Sequence, residues 1–304
     1  MAHAFSFLLG LSLGLSVFVF VAEPLWVLPV LEWLTPNILY RVKTEKGLVA
    51  LSFDDGPHAE FTPQALEILE RYEAKATFLL IGERVERHPE LVRRILDEGH
   101  EIGNHYWENG PTLGHSREKF LRKLEETERA IESSVFQRGE EEEKDLTQRA
   151  QREEHREHRE GEKAESEHAE GTPRRGSQGP YLDDETGAID NKKRQSGDWR
   201  SRETGHMRFF RAPGGVAWPW QLRVARERGY TCVLGCAYPH DPMRPPVRYI
   251  FWLIKKNLRP GTIVILHDGI NDATRSIAAL PETLAEGKRR GLRFVSIGEL
   301  FEKR

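Results

Sequence analysis

The chain has 304 residues, 45 of them basic and 48 acidic, for a net charge of -3; 38% are hydrophobic and 31% charged. That length suits one large domain or two small ones and excludes a scaffold that depends on disulfides, while the charge balance offers none of the basic excess that nucleic acid selects, so no nucleic-acid partner is expected. The hydrophobic share falls below the roughly 45–50% of ordinary globular domains, which means that a polar segment dilutes an otherwise foldable chain.

Ala4 to Ala22 carries no formal charge and is rich in Leu, Phe and Val. At about 1.5 Å rise per residue it nearly spans a ~30 Å hydrocarbon core. Met1-Ala2-His3 lacks Lys and Arg, and Phe20-Val21-Ala22 is a poor cleavage site, so a retained membrane helix is favoured over a cleaved signal, which would make the protein secreted. Pro24 to Leu34 is shorter, broken by Pro29 and flanked by Glu23 and Glu32; it is expected at the interface or packed on the domain, with Trp26 and Trp33 suited to that boundary. Arg41, Lys43 and Lys46 follow, and the positive-inside rule alone would place the downstream domain in the cytoplasm. Residues 1–45 are read as membrane anchor and linker.

From Gly47 the pattern alternates between short apolar runs and helical periodicity. Leu48 to Phe53 reads as a buried strand, Thr62-Pro63 opens a helix, Ala76 to Ile81 is a second strand, Pro89 to Glu98 a helix with proline at its start, and Gly99 to Asn104 a third strand. Ser116 to Ser133 is a longer helix. The alternation resumes with a strand at Arg208 to Arg211, a helix near Trp218 to Arg228, a strand at Thr231 to Gly235 and a helix near Val247 to Asn257. Thr262 to Leu266 is another strand, Thr274 to Arg290 a helix interrupted at Pro281, and Phe294 to Ser296 the last strand. Repeated strand-helix order predicts a parallel α/β sheet, best fitted by a (β/α) barrel-like architecture.

Residues 133–206 break this order. Runs such as Glu140 to Glu143 and Arg152 to Arg159 are dense in charge, and apolar residues are sparse, so the tract cannot bury a core and is predicted to be a disordered insert. His155 and His158 belong to that solvated tract. Cys232 and Cys236 have the spacing of neither a zinc ribbon nor a disulfide framework.

Five predicted strand ends carry polar groups: Asp54-Asp55-Gly56-Pro57, Asn104-His105, Arg211-Ala212-Pro213-Gly214-Gly215, Tyr238-Pro239-His240-Asp241 and Leu266-His267-Asp268. Carboxylates at the C-terminal ends of strands are the expected hardware of barrel-like α/β enzymes. Taken singly, each has a plainer explanation: an Asp-Gly turn, a surface salt bridge for Arg211, a capping role for His267, a turn at Asp241. Together they read as a site. Trp107, Trp218 and Trp220 are read as core or as sugar-stacking walls, and His58, His88, His100 and His240 as turn, cap or supporting residues.

In this order the motifs resemble the polysaccharide deacetylase family, carbohydrate esterase family 4, whose catalytic unit is the NodB homology domain. Ser52 to Pro57 resembles its first motif, Lys75 to Phe78 the strand that follows, Gly99 to His105 the approach to the second, Arg211 to Gly215 the third and Ile265 to Asp268 the fifth. The resemblance covers residues 46–132 and 207–304 and implies one discontinuous domain, a distorted (β/α) barrel of the NodB type.

The resemblance also implies roles. Asp54 would be the general base; Asp55 and His105, with Asn109, would hold a divalent metal, zinc or alternatively cobalt, that polarises an amide carbonyl and lowers the pKa of the attacking water. Arg211 would orient Asp54, the Gly214 N–H beside Pro213 would face the oxyanion, and His267, paired with Asp241, would protonate the leaving amine. Ile265 and Leu266 would wall the acetyl methyl. Asn109 stands where the family usually has a second histidine, with Glu108 and His115 as alternative ligands; the third motif lacks its aromatic after Pro213 and the fourth its Asp-Trp pair, which implies a reshaped groove. The expected activity is hydrolysis of N-acetyl groups on chitin- or peptidoglycan-like polysaccharides. The alternatives are an O-acetyl or lipid-linked sugar deacylase, or a degenerate glycan-binding protein. An N-acetylated glycan partner implies an extracytoplasmic or luminal domain on a single-pass anchor.

Overall fold

The computed structural model describes residues 25–135, 151–152, 156 and 208–303. The apolar segment 4–22 and nearly all of the charged tract lie outside the described residues, and among those described no helix is long and apolar enough to cross a membrane. The chain divides into two compact units, Met1–Val135 with Trp199–Arg304, and Phe136–Asp198. In the second, Gln151, Arg152 and Arg156 are helical and exposed.

The first unit is a parallel α/β sheet. Its strands are β1 Ile38–Leu39, β2 Leu48–Gly56, β3 Thr77–Leu80, β4 Glu101–Asn104, β5 Phe209–Phe210, β6 Thr231–Val233, β7 Ile263–His267 and β8 Arg293–Val295. They are ordered β1-β6-β5-β4-β3-β2-β7, with β8 pairing the start of β2, and every ladder is parallel. Two isolated bridges, Ala237 to Val264 and Arg41 to Thr262, tie the far side of the sheet to β7. The sheet therefore curves back on itself, consistent with the expected barrel.

The helices are α1 Leu28–Leu34, α2 Phe61–Arg71, α3 Gly82–Arg87, α4 Pro89–Asp97, α5 over 117–135, α6 Pro219–Glu227, α7 Val247–Asn257, α8 Thr274–Arg289 and α9 Ile297–Glu302. Of these, α2 to α8 cover the outer face, while Ile297 and Leu300 of α9 pack on the other side and α1 packs in a small cluster of its own. The two-residue period of a strand sorts each side chain to one of two cores. Val49, Leu51, Phe53, Phe78, Val264 and Leu266 face the helices in the larger core. Leu48, Ala50, Leu79, Phe209, Val233 and Ile263 fill the other side, the barrel interior. β2 is buried over its whole length because it is paired on both edges, which is why its sequence is a continuous apolar run rather than an alternating one.

Several expected boundaries move. β2 runs three residues beyond Phe53, so Asp54, Asp55 and Gly56 lie in the ladder rather than after it. Pro281 does not interrupt α8, which is continuous from Thr274 to Arg289. Burial of Ile277, Leu280 and Leu284 outweighs the ~3 kcal/mol that an interior proline costs. The sequence pattern missed β1, α3 and α9; all are short. In α9, Ser296 Oγ accepts from the Glu299 N–H at 3.1 Å, a side-chain N-cap.

Candidate active site

Alternation that places Ala50 and Ile263 inside the barrel also points Ser52 and Asp54 of β2, Ile265 and His267 of β7, and Arg211 beyond β5 to the same side. They form a polar layer above the apolar interior at the C-terminal ends of the strands. Asp55 belongs to the opposite face by this count, yet it joins the layer because the β2–β3 register shifts between Asp54 and Gly56. Asp55 is the extra residue of this bulge, at φ 67°. Arg84 of α3 donates to the Asp55 carbonyl at 2.9 Å and also to that of Gly269. A Cβ on Gly269 would lie 1.8 Å from the Asp55 carbonyl oxygen. Gly269→Ala is therefore expected to displace the bulge and lower stability by about 1–3 kcal/mol. Thermal or urea denaturation checks it, and unchanged stability would show that the loop gives way freely.

The layer is tightly bonded. Arg211, 2% exposed, donates to Asp54 Oδ1, to Ser52 Oγ at 3.0 Å and to the Val233 carbonyl at 3.3 Å. His105 Nδ1 lies 2.8 Å from the Arg211 carbonyl, which accepts its proton and leaves Nε2 to face the carboxylates, 3.2 Å from Asp55 Oδ1 and 3.9 Å from Asp54 Oδ2. On the other side of Asp54, His267 Nε2 stands 4.0 Å from Oδ2. His267 Nδ1 is 3.0 Å from Asp241 Oδ1, while the His267 backbone N–H at 2.8 Å and Ser276 Oγ at 2.6 Å both donate to Asp241 Oδ2.

These contacts set the proton affinities. Burial would lower the His267 pKa, but the buried negative charge of Asp241 and its hydrogen bond, helped by Asp54 and Asp55, raise it to about 9. Burial would raise the Asp55 pKa, but His105, by hydrogen bond and charge, with His267 and Arg84 adding to it, brings it to about 2. Asp268, fully buried, is pushed up to about 7 by desolvation, against the hydrogen bond that Thr62 Oγ1 donates. Sequence reasoning assigned no role to Asp268, Arg84, Ser52 or Ser276. The adjacency of Asp268 to His267 and the place of Ser52 in the first motif were the available signals; Arg84 and Ser276 come from helices whose approach only the chain path decides.

Of the three predicted metal ligands, Asp55 and His105 meet. His105 Nε2 lies 3.2 Å from Asp55 Oδ1; without metal a proton on Nε2 fills that gap, the hydrogen bond that lowers the Asp55 pKa. A divalent cation would take the place of that proton while Nδ1 stays bonded to the Arg211 carbonyl. Asp55 and His105 thus fit two corners of a divalent-cation site. Asn109 lies exposed in the bend at 107–110 and makes none of the hydrogen bonds that join the others. Glu108 and His115 face each other at 3.9 Å, with His115 Nδ1 hydrogen-bonded to Tyr106. Among the described residues no group of three His, Cys, Asp or Glu is placed to hold a metal.

A pocket of about 370 Å³ opens onto Asp54, Arg211, Gly214 and His267. Gly214, at φ 65°, sits in the turn Pro213–Gly215. Ile265 lines the pocket, whereas Leu266 points the opposite way into the larger core, as strand alternation requires, and Pro213 is buried in the turn rather than lining the pocket. Trp107 and Trp220 pack against the larger core; Trp218 is half exposed, its indole donating to the Leu113 carbonyl at 2.8 Å. His58 Nδ1 and His100 Nδ1 accept backbone N–H groups, and Cys232 and Cys236 are both buried and not joined in a disulfide.

A parallel α/β sheet carrying a carboxylate-histidine layer at its strand ends defines a hydrolase-like α/β domain, and comparison with known proteins makes the class specific. The polysaccharide deacetylase profile matches residues 41–140. A Bacillus cereus peptidoglycan-N-acetylglucosamine deacetylase is 31% identical over 269 residues, 88% of this chain and 94% of that protein. A chitooligosaccharide deacetylase of Azorhizobium caulinodans is 29% identical over 230 residues, 75% of this chain and 77% of that one. The chain belongs to the polysaccharide deacetylase family, whose members are generally metal-dependent. Among solved structures, a peptidoglycan N-acetylglucosamine deacetylase in complex with 4-naphthalen-1-yl-N-oxidanyl-benzamide superposes with a TM-score of 0.63 at 23% identity, covering 90% of this chain and 97% of its own. A carbohydrate esterase family 4 pseudoenzyme from Bacillus anthracis shares the fold at a TM-score of 0.59 and 19% identity, over 87% and 68% of the two chains.

Proposed function

We propose that this chain is a metal-dependent hydrolase that removes N-acetyl groups from amino-sugar polysaccharides of the peptidoglycan or chitin type. The observation that carries the reading is the placement of a carboxylate and an imidazole, Asp54 and His267, 4.0 Å apart on one pocket, each held by its own buried partner. Asp54 takes the proton of the attacking water through Oδ2, while Oδ1 stays bonded to Arg211. His267 delivers a proton from Nε2 to the departing amine, and Asp241 fixes Nδ1 so that Nε2 faces the substrate. The Gly214 N–H, in a turn that borders the pocket, serves the developing oxyanion. A divalent cation held by Asp55 and His105, zinc or cobalt, supplies Lewis acidity when bound. Acetate release from N-acetylglucosamine oligomers and from peptidoglycan, with zinc or cobalt supplied, tests the reading; no turnover where a family control works sinks it.

Asn109 would have to turn inward to serve as third ligand, and it would then give a neutral amide oxygen, a weaker zinc donor than imidazole. Asn109→His is expected to tighten zinc binding at least about tenfold, read by competition with a chelator; equal affinity would remove Asn109 from the ligand set. The exposure of Asn109 favours a second reading, a glycan-binding protein without turnover. That protein would bind oligosaccharide equally with and without chelator and release no acetate. An anchored, extracytoplasmic or luminal domain agrees with a polymer substrate, and protease accessibility of the domain in intact cells reads its side of the membrane.

A further inference from the structure

The pocket that holds Asp54 and His267 does not end at the reacting groups. Its 370 Å³ continue along Ile265 to an arm lined by Leu28, Leu31, Tyr40, Leu234 and Cys236. Leu28, Tyr40 and Cys236 form a small apolar cluster of their own, with Leu31 and Leu234 packed against it. Helix α1 is fixed as one wall of this arm. Arg41 Nε donates to Glu32 at 2.8 Å, and Thr35 Oγ1 lies 2.9 Å from the Tyr40 hydroxyl. Gly235, at φ 88°, lets the Ile265 side chain pack directly on its backbone, since a Cβ there would sit 2.8 Å from Ile265 Cδ1. An acetyl methyl needs only the apolar spot beside Ile265. The rest of the lining is mostly apolar, with Tyr238 and His240 beside it, and is continuous with the reacting groups, so an alkyl chain laid along it would be removed from water.

We propose that this arm receives an N-acyl chain longer than acetyl, so that the preferred substrates are amino sugars carrying medium-length acyl amides. The inference rests on the hydrolytic reading of the site and names its substrate class. The reaction balances as an ordinary amide hydrolysis. The water oxygen bonds to the acyl carbon, the C–N bond breaks, the amine leaves with a proton, and the acid departs as its carboxylate. The arm touches only the acyl tail, so its effect is on selectivity among acyl groups. Each methylene that finds the apolar wall adds up to about fourfold in kcat/KM.

The test compares N-acetyl, N-butanoyl and N-hexanoyl glucosamine oligosaccharides with the full chain, using release of free amine as a readout common to all three. The expected result is a kcat/KM for the hexanoyl substrate at least about tenfold above that for the acetyl one. Leu31→Trp and Leu234→Trp, which add bulk to the lining from α1 and from the segment after β6, should each lower the hexanoyl-to-acetyl ratio at least about tenfold, circular dichroism confirming the fold. An acetyl preference in the unaltered chain, or a ratio that both variants leave unmoved, overturns the proposal. If no substrate turns over, the hydrolytic reading fails, and calorimetric binding then decides the arm by itself. Tighter binding of the hexanoyl oligosaccharide, lost in both variants, upholds it; equal affinities for the acetyl and hexanoyl forms, as when the chain's own N-terminal residues fill the arm, overturn it.

Discussion

Asp54→Asn is expected to lower kcat/KM for deacetylation by about 10²–10⁴-fold, the span that general-base catalysis supplies. The amide keeps an oxygen to accept from Arg211 and Ser52 stays in place, but it has no basic oxygen for the proton of water. The same change leaves the Arg211 guanidinium, 2% exposed, without its counter-charge. Removing one partner of a buried ion pair costs about 3–5 kcal/mol, and the retained acceptor places Asn at the lower end of that range, with Asp54→Ala costing more. Acetate release, zinc content and thermal denaturation of both variants separate the two effects. A variant that keeps its fold and the metal content of the parent and still turns over within tenfold of it would remove Asp54 as the base.

Asp241→Asn is expected to move the alkaline limb of activity. His267 must be protonated to act as an acid, and Asp241 is the principal charge that raises its pKa to about 9. The rate should therefore hold through neutral pH and fall as pH passes about 9, whereas in the variant it falls from a limb displaced toward or below the ordinary histidine value of 6.5. Stability follows the same sign. Because the folded-state pKa of His267 lies above the unfolded value, its contribution is fully present below 6.5 and is lost as pH rises through about 9. Histidine NMR titration of the metal-free protein reads this directly, and a His267 pKa unchanged by Asp241→Asn contradicts the assignment. The variant also weakens the acceptor of Ser276 Oγ and the His267 N–H, so a rate loss of about 10²-fold at neutral pH is expected beside the shifted limb.

Much of the strand and helix order was legible because it is written in local periodicity. Leu48 to Phe53 is an apolar run that only a buried strand accommodates, and Val247–Asn257 shows a helix at the limits that periodicity predicted. The short pieces were not legible, since β1 has two residues and α3 and α9 six each, too few for a period to register. At the site, the polar strand ends at Asp54, His105, Arg211 and His267 stood out as residues. Their meeting did not, because the Arg211–Asp54 pair joins positions 157 apart in sequence, and the His267–Asp241 pair joins strand-end positions 26 apart. Leu266 shows the limit plainly. Beside Ile265 in sequence, it faces the other core by strand alternation.

By itself the sequence determined the strand-helix alternation, the polar residues at the strand ends and the charged tract between two halves of one fold, because composition and period act over a few residues. Only the tertiary structure decided which of those residues meet. The bulge that turns Asp55 toward His105, the Arg84 and Ser276 supports, the exposure of Asn109 and the apolar arm under helix α1 all depend on where distant segments of the chain come to lie. That path is set by packing of the two cores as wholes, which no short window of sequence contains.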